Sequence, residues 1–201
     1  MRYIPNILTV TRIVLTPLVL LLLATESLAA QSGAVALFMA ASISDYYDGK
    51  IAREMEARSR LGTFLDPIAD KVLVLGTFVT LAYLHPQAVP WWAVVLIAVR
   101  DAMVTGLRTW AESTGRSIRT LPAAKAKTLT QLFFLFCMLV LLMARFLPEP
   151  IQSTAYWVLN SPIPFVALMA VVAFTLATGA MYFMRLERVR PPTHSPSERP
   201  S

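Results

Sequence analysis

Apolar residues fall in six blocks along this chain, separated by short polar breaks. The blocks are residues 7–24, 33–44, 65–84, 91–110, 121–146 and 162–184. The breaks carry loop chemistry: Glu26-Ser27, His85-Pro86-Gln87 and Pro148-Glu149-Pro150. Most of the blocks match the roughly 20 residues that a helix needs to cross a hydrocarbon layer about 30 Å thick. The pattern predicts an all-α polytopic membrane protein with six transmembrane helices. Residues 1–186 read as a single membrane domain. Residues 187–201 are polar and hold four prolines, which predicts a disordered cytoplasmic tail.

Composition sharpens this picture. Of the 201 residues, 56% are hydrophobic and only 15% charged, where a soluble domain carries about 25% charged residues. Mean hydropathy is +0.59. Disorder is excluded and a soluble core is disfavoured. A single cysteine, Cys137, rules out an internal disulfide. Two distant histidines, His85 and His194, rule out a histidine-rich metal centre. Cys137 and the run Phe133, Phe134 and Phe136 read as packing or lipid-facing bulk, and His85 as a loop residue on the far side.

The net charge of +6 is explained by where the charges lie. With the N-terminus placed inside and sides alternating, 17 of the 18 Lys and Arg residues fall on the inside; Arg145 alone falls outside. This asymmetry predicts both termini in the cytoplasm, in a multi-pass inner-membrane protein, and leaves no charge that requires nucleic acid. Trp91, Trp92, Tyr156 and Trp157 fall near the opposite interface. The first block, followed by Ser27-Leu28-Ala29-Ala30, mimics a cleavable leader. Five further spans and the polar Asn6, Thr9 and Arg12 favour a retained helix.

Some charges sit where a membrane span should exclude them. The second block is apolar for only twelve residues, about 18 Å of helix, before Asp45 and Asp48. Asp66, Asp70 and Lys71 precede the apolar part of the third block. Arg100 and Asp101 interrupt the fourth. Ionisable groups at such depth are costly unless they face a wet or protein-lined cavity, so they point to function. Interhelical salt bridges are the plainer alternative, but the pattern is more ordered than they require.

At about 100° per residue, Asp48 lies about 60° from Asp45, with Gly49 and Ala52 on the same face and Arg53 beside it. On the next helix Gly62, Asp66 and Asp70 follow at steps of about 40°. A short connection near residues 57–61 predicts that the two helices are antiparallel neighbours, so four aspartates converge. Mutual repulsion at low dielectric is relieved by protonation or by cations. Oxygen-only ligation suits a hard divalent ion, Mg²⁺ or Mn²⁺, and two of them cancel the formal charge and form the paired clamp used in phosphoryl displacement.

Written out, Asp45-x2-Asp48-Gly49-x2-Ala52-Arg53-x8-Gly62-x3-Asp66-x3-Asp70 resembles the signature of the CDP-alcohol phosphatidyltransferase family at every specified position. The resemblance implies six transmembrane helices, often in a homodimer, and a CDP-diacylglycerol donor. It implies that Asp45, Asp48, Asp66 and Asp70 ligate two Mg²⁺ or Mn²⁺ ions and that Asp70 is also the catalytic base. It implies that Gly49, Arg53, Ser59 and Gly62 hold the CDP part of the donor, joined by Asn6 and Thr9 of Pro5-Asn6-x2-Thr9. The active site is then expected on the cytoplasmic side.

A second basic cluster bears on the acceptor: Arg100, Arg108, Arg116, Arg119, Lys125 and Lys127. Guanidinium and ammonium groups at that depth suit a phosphorylated acceptor, and Arg100, Arg108, Lys125 and Lys127 are the candidate ligands of its phosphate. Topological charge and headgroup contact account for Arg116 and Arg119. The run Arg100-Asp101-x6-Arg108-Thr109-Trp110, with Lys125-Ala126-Lys127-Thr128-x2-Gln131, resembles the branch of the family whose acceptor is sn-glycerol 3-phosphate. Asp101, Thr109 and Ala124 depart from the Glu, Glu and Gly expected there. Inositol phosphate is the rival acceptor. A divalent cation channel or transporter is the non-enzyme alternative; it explains the acids but not Gly49, Arg53 and Gly62.

Overall fold

The computed structural model describes the backbone of residues 4–54, 60–113 and 122–188, with side chains at 14–44, 71–107, 109–110, 126–181 and 184. These residues form seven helices: α1 (Ile4–Leu23), α2 (Leu28–Glu54), α3 (Arg60–Leu84), α4 (Trp91–Ser113), α5 (Pro122–Ala144), α6 (Ile151–Asn160) and α7 (Ile163–Arg188).

Six helices correspond to the six apolar blocks, and all but α5, which lies within its block, are helical beyond it at one or both ends. α2 continues ten residues past Ser44 to Glu54, because the backbone hydrogen bonds of a helix do not depend on apolar side chains. α7 likewise carries the helix through Arg188, past the point at which the tail was expected to begin. The remainder of that tail, 189–201, lies outside the described residues.

The seventh helix, α6, is a departure from the six-helix expectation. At ten residues it is about 15 Å long, too short to span. Its sequence mixes Gln152, Ser153 and Thr154 with Tyr156 and Trp157, so it shows no apolar block. The flanking Pro148-Glu149-Pro150 and Ser161-Pro162 read as loop. Tyr156 and Trp157 are both exposed, as are Trp91 and Trp92 at the start of α4.

Local chemistry explains the turns. Ser27 Oγ accepts a hydrogen bond from Ala30 N at 3.2 Å, capping the start of α2. Gln31, fully buried, donates from Nε2 to the Leu23 and Thr25 carbonyls at 2.8 and 3.1 Å, so α2 closes the open end of α1. Gln152 Nε2 does the same for Arg145 O at 2.9 Å, between α6 and α5. Ser161 Oγ accepts from Ile163 N at the start of α7.

The core runs along the inward faces of the long helices: Val19 and Leu23, Phe38 and Ala41, Phe78 and Leu81, Ile97, Leu135, Leu139 and Leu142, Leu168 and Val171. Small residues allow close approach, as expected when packing rather than water exclusion drives helix association in lipid. A Cβ at Gly76 would lie 3.3 Å from Leu20 Cδ1, which marks where α1 and α3 meet. The Phe78 and Phe134 rings stack with centroids 5.9 Å apart. Phe134 is therefore core rather than lipid-facing bulk; only its neighbour Phe133 points outward, at 68% exposure.

The outward faces are also apolar. Val14 and Leu21 are about two-thirds exposed, and a surface of this kind belongs against lipid. Two helical segments, Ala126–Ala144 and Ile163–Met181, are long and apolar enough to cross a membrane by themselves; 14–23, 28–44 and 71–84 are shorter apolar helices. Among the described residues, α1 packs on both α2 and α3, while α5 packs on α2 and α7, and α4 on α7 and α3. Among the described residues both aspartate-bearing helices therefore share α1 as a neighbour. Their ends, Glu54 and Arg60, are tied by five residues and so lie within about 20 Å.

Two expectations follow. Phe78→Ala empties a site shared by α3 and α5 and should destabilise the fold by about 3–5 kcal/mol, whereas Phe133→Ala should be near neutral; thermal unfolding in detergent distinguishes them. His85, half-buried after α3, is held below the ordinary histidine value by burial and by the positive charge of Arg145. The fold favours its neutral form, so that contribution is full above about pH 6.5 and is lost as pH falls toward the lowered value. His85→Gln should flatten the acid side of a melting-temperature profile.

Candidate functional site

The signature residues divide between two continuous helices. Asp45, Asp48, Gly49, Ala52 and Arg53 lie on the last three turns of α2. Gly62, Asp66 and Asp70 lie on the first three turns of α3. The side chains of these residues, and of Asn6 and Thr9 on α1, Arg108 on α4 and Lys125 on α5, lie outside the described residues, as does Ser59 altogether. So do Arg116 and Arg119.

Immediately after Asp70 the described side chains reveal a buried polar centre joining α3, α4, α5 and α7. Its hub is Asp101 on α4. Lys127 of α5 donates from Nζ to both carboxylate oxygens at 2.6 Å. Arg100 donates from Nη1 to Asp101 Oδ1 at 3.1 Å and from Nη2 to Thr178 Oγ1 of α7 at 2.8 Å. Lys71 of α3 donates to the backbone carbonyl of Asp101 at 2.8 Å and to Thr105 Oγ1. Thr105 Oγ1 itself donates to that carbonyl at 2.8 Å. One residue thus gathers cations from three helices.

The centre is dry. Arg100, Asp101 and Lys127 are each more than nine-tenths buried, and Gln131, Thr175 and Thr178 are almost completely so. Gln131 Nε2 donates to Thr175 Oγ1 at 3.3 Å, and Thr178 Oγ1 donates to Thr175 O at 2.9 Å. Arg100 lies flat across α7, where a Cβ at Gly179 would stand 3.0 Å from its Nε. Among the described residues that Nε is buried without a hydrogen-bond partner. Among the described side chains here, Arg100 and Lys127 share one carboxylate, that of Asp101. Such an excess favours an additional anion with oxygen acceptors, and a phosphate group meets the guanidinium fork well.

Two of the four residues expected to hold an acceptor phosphate, Arg100 and Lys127, are therefore brought together, both committed to Asp101. Sequence reasoning noticed Lys71 and Asp101 as deep charges without giving them a place in the site. It quoted Gln131 only within the branch motif, and it missed Thr105, Thr175, Thr178 and Gly179. The available signal was polar spacing inside apolar helices: Asp101 with Thr105 and Lys127 with Gln131 at i, i+4, and Thr175 with Thr178 at i, i+3. Each pair falls on one helix face.

Comparison with known proteins agrees with the residues. The family model for CDP-alcohol phosphatidyltransferase matches residues 2–186. A CDP-diacylglycerol–glycerol-3-phosphate 3-phosphatidyltransferase of Rickettsia typhi is 40% identical over 136 residues, covering 67% of this chain and 75% of the relative. The protein of that name from Bacillus subtilis is 30% identical over 194 residues, covering 90% and 93%. A probable phosphatidylglycerophosphate synthase of Mycobacterium tuberculosis is 42% identical over 106 residues, about half of each chain.

The close approach at Gly179 is testable. Gly179→Val should push Arg100 off α7 and lower turnover by about tenfold or more. Gly106, which has open space around its Cβ position, should accept Ala with turnover changed less than about twofold, given the better helix propensity of Ala. Steady-state rates of the two purified variants make the comparison.

Proposed function

This chain belongs to the CDP-alcohol phosphatidyltransferase family, and from that premise we propose that it is a phosphatidylglycerophosphate synthase. It transfers the phosphatidyl group of CDP-diacylglycerol to sn-glycerol 3-phosphate, releasing CMP, as a step in phospholipid biosynthesis. The observation that carries the acceptor assignment is the buried cation centre beside Asp70. Arg100 and Lys127, fixed in a water-poor interior, suit a phosphorylated acceptor better than a neutral alcohol. The names of the relatives above support the same acceptor.

The donor set Asp45, Asp48, Asp66 and Asp70 contains carboxylates alone, which fits a hard divalent ion. In this reading the four hold two Mg²⁺ or Mn²⁺ ions. Bound there, such ions neutralise the pyrophosphate and stabilise the departing phosphate. Gly49, Arg53, Ser59 and Gly62, with Asn6 and Thr9, hold the CDP moiety, while the acyl chains stay in the bilayer. Arg100 and Lys127, with Arg108 and Lys125, hold the acceptor phosphate. This anchorage presents the acceptor's free hydroxyl to the donor. Asp70 accepts the hydroxyl proton as the oxygen attacks the lipid-bearing phosphorus. The bond from that phosphorus to the CMP oxygen breaks, and CMP departs with the bonding electrons.

Six of the helices span the inner membrane in this reading and α6 lies along its outer interface. Both termini and the active site face the cytoplasm, as the 17-to-1 distribution of basic residues supports. The enzyme acts as a homodimer.

Purified protein with CDP-diacylglycerol and Mg²⁺ or Mn²⁺ should release CMP only when sn-glycerol 3-phosphate is added, and mass analysis should find phosphatidylglycerophosphate. Product from inositol phosphate in place of glycerol phosphate would reassign the acceptor. Asp70→Asn should lower turnover by about 100-fold or more, the usual scale for general-base removal, while CDP-lipid binding persists.

A further inference from the structure

We infer that Asp101 is a positioning residue of the acceptor site: its carboxylate is the internal counter-ion that holds Arg100 and Lys127 in register for an incoming phosphate monoester. The inference rests on the acceptor reading above and goes beyond it, because Asp101, an anion, has no direct attraction for a phosphate.

The geometry separates holding from binding. Lys127 has a flexible four-carbon stem, and both of its described contacts go to Asp101, one to each oxygen, at 2.6 Å. That bidentate grip fixes where the ammonium points. Arg100 is pinned at three places: Nη1 by Asp101, Nη2 by Thr178 and the Nε edge by the bare backbone at Gly179. Among the described residues its Nε–H is a buried donor without a partner. The backbone carbonyl of Asp101 meanwhile accepts from Lys71 Nζ, one position after Asp70. The chain thus sets the distance between the expected base and the two cations through a single residue.

Charge explains why an anion belongs at the hub. Arg100 and Lys127 packed together without a counter-charge would repel one another and spread or draw in water. One carboxylate neutralises part of the excess and leaves the remainder for the ligand. A neutral hub would leave the cations misplaced; a second carboxylate would cancel the attraction. Asn in place of Asp keeps the shape and the backbone carbonyl contacts to Lys71 and Thr105, so Asp101→Asn isolates the carboxylate.

The test is steady-state kinetics of the full-length enzyme in detergent–lipid micelles with Mg²⁺, varying sn-glycerol 3-phosphate and CDP-diacylglycerol separately. Asp101→Asn should raise KM for glycerol phosphate about tenfold, leave KM for CDP-diacylglycerol within twofold, and lower kcat less than KM rises. Asp101→Glu should restore KM to within about threefold of the parent. In a Lys127→Gln background the Asp101→Asn change should add much less than tenfold, since its main lever is gone. An unchanged glycerol phosphate KM in folded Asp101→Asn protein, or a loss confined to kcat, overturns the inference. If Asp101→Asn does not fold, Thr178→Val carries the test. The same selective KM rise is expected from freeing Arg100 Nη2, and an unchanged KM overturns the inference. Failure of the parent enzyme to use glycerol phosphate at all overturns the acceptor reading itself, so the two failures are distinct.

Discussion

A buried charge in an apolar helix bundle must find a partner, and here that requirement converges on Asp101. In lipid-surrounded interiors a lone carboxylate or ammonium is strongly disfavoured. Lys71, Arg100 and Lys127 come from three different helices, and the carboxylate or the carbonyl of Asp101 meets each of them. The interaction therefore joins α3, α4 and α5, and Arg100 extends it to α7 through Thr178. An apolar seam would pack these helices as well or better, since buried ion pairs rarely gain net stability over hydrophobic replacements. What the polar hub supplies is register: it is satisfied at one alignment of the helices and leaves unpaired groups at others.

Register matters because of what lies next in sequence. Asp70 closes the aspartate series on α3, and Lys71 fixes the following position to the α4 backbone. A helix shift of one residue would move Asp70 by about 1.5 Å along the axis and about 100° around it. In-line displacement tolerates little of that. The tie between Lys71 and Asp101 thus connects the helix that carries Asp66 and Asp70 with the buried cations Arg100 and Lys127.

Much of this was legible in the chain. The six apolar blocks marked six of the helices, since the length and composition of a span are hard to counterfeit. Deep charges were legible as anomalies, and the aspartate spacing named the family that the comparisons then showed. Three things were not legible. α6 carries too few apolar residues to stand out, and prolines flank it on both sides. The ends of α2 and α7 extend past their hydrophobic blocks because a helix stops where its hydrogen bonds stop, not where its side chains turn polar. Phe134 and Phe133 look alike in sequence, and only the position of Phe78 decides which of them is core.

The partnering of the charges was the deepest gap. Arg100 and Lys127 read as ligands of a substrate, which treats each as a lone cation waiting for an anion. The fold shows that each already has one. A cation held by a carboxylate attracts an incoming phosphate less strongly than a bare one, yet it requires less reordering when the phosphate arrives. In a dry site the second effect outweighs the first. A bare ammonium on a long stem would be costly to keep buried and would snorkel toward water, whereas a tethered one stays where the reaction needs it. Affinity sacrificed to the counter-ion is recovered as preorganisation.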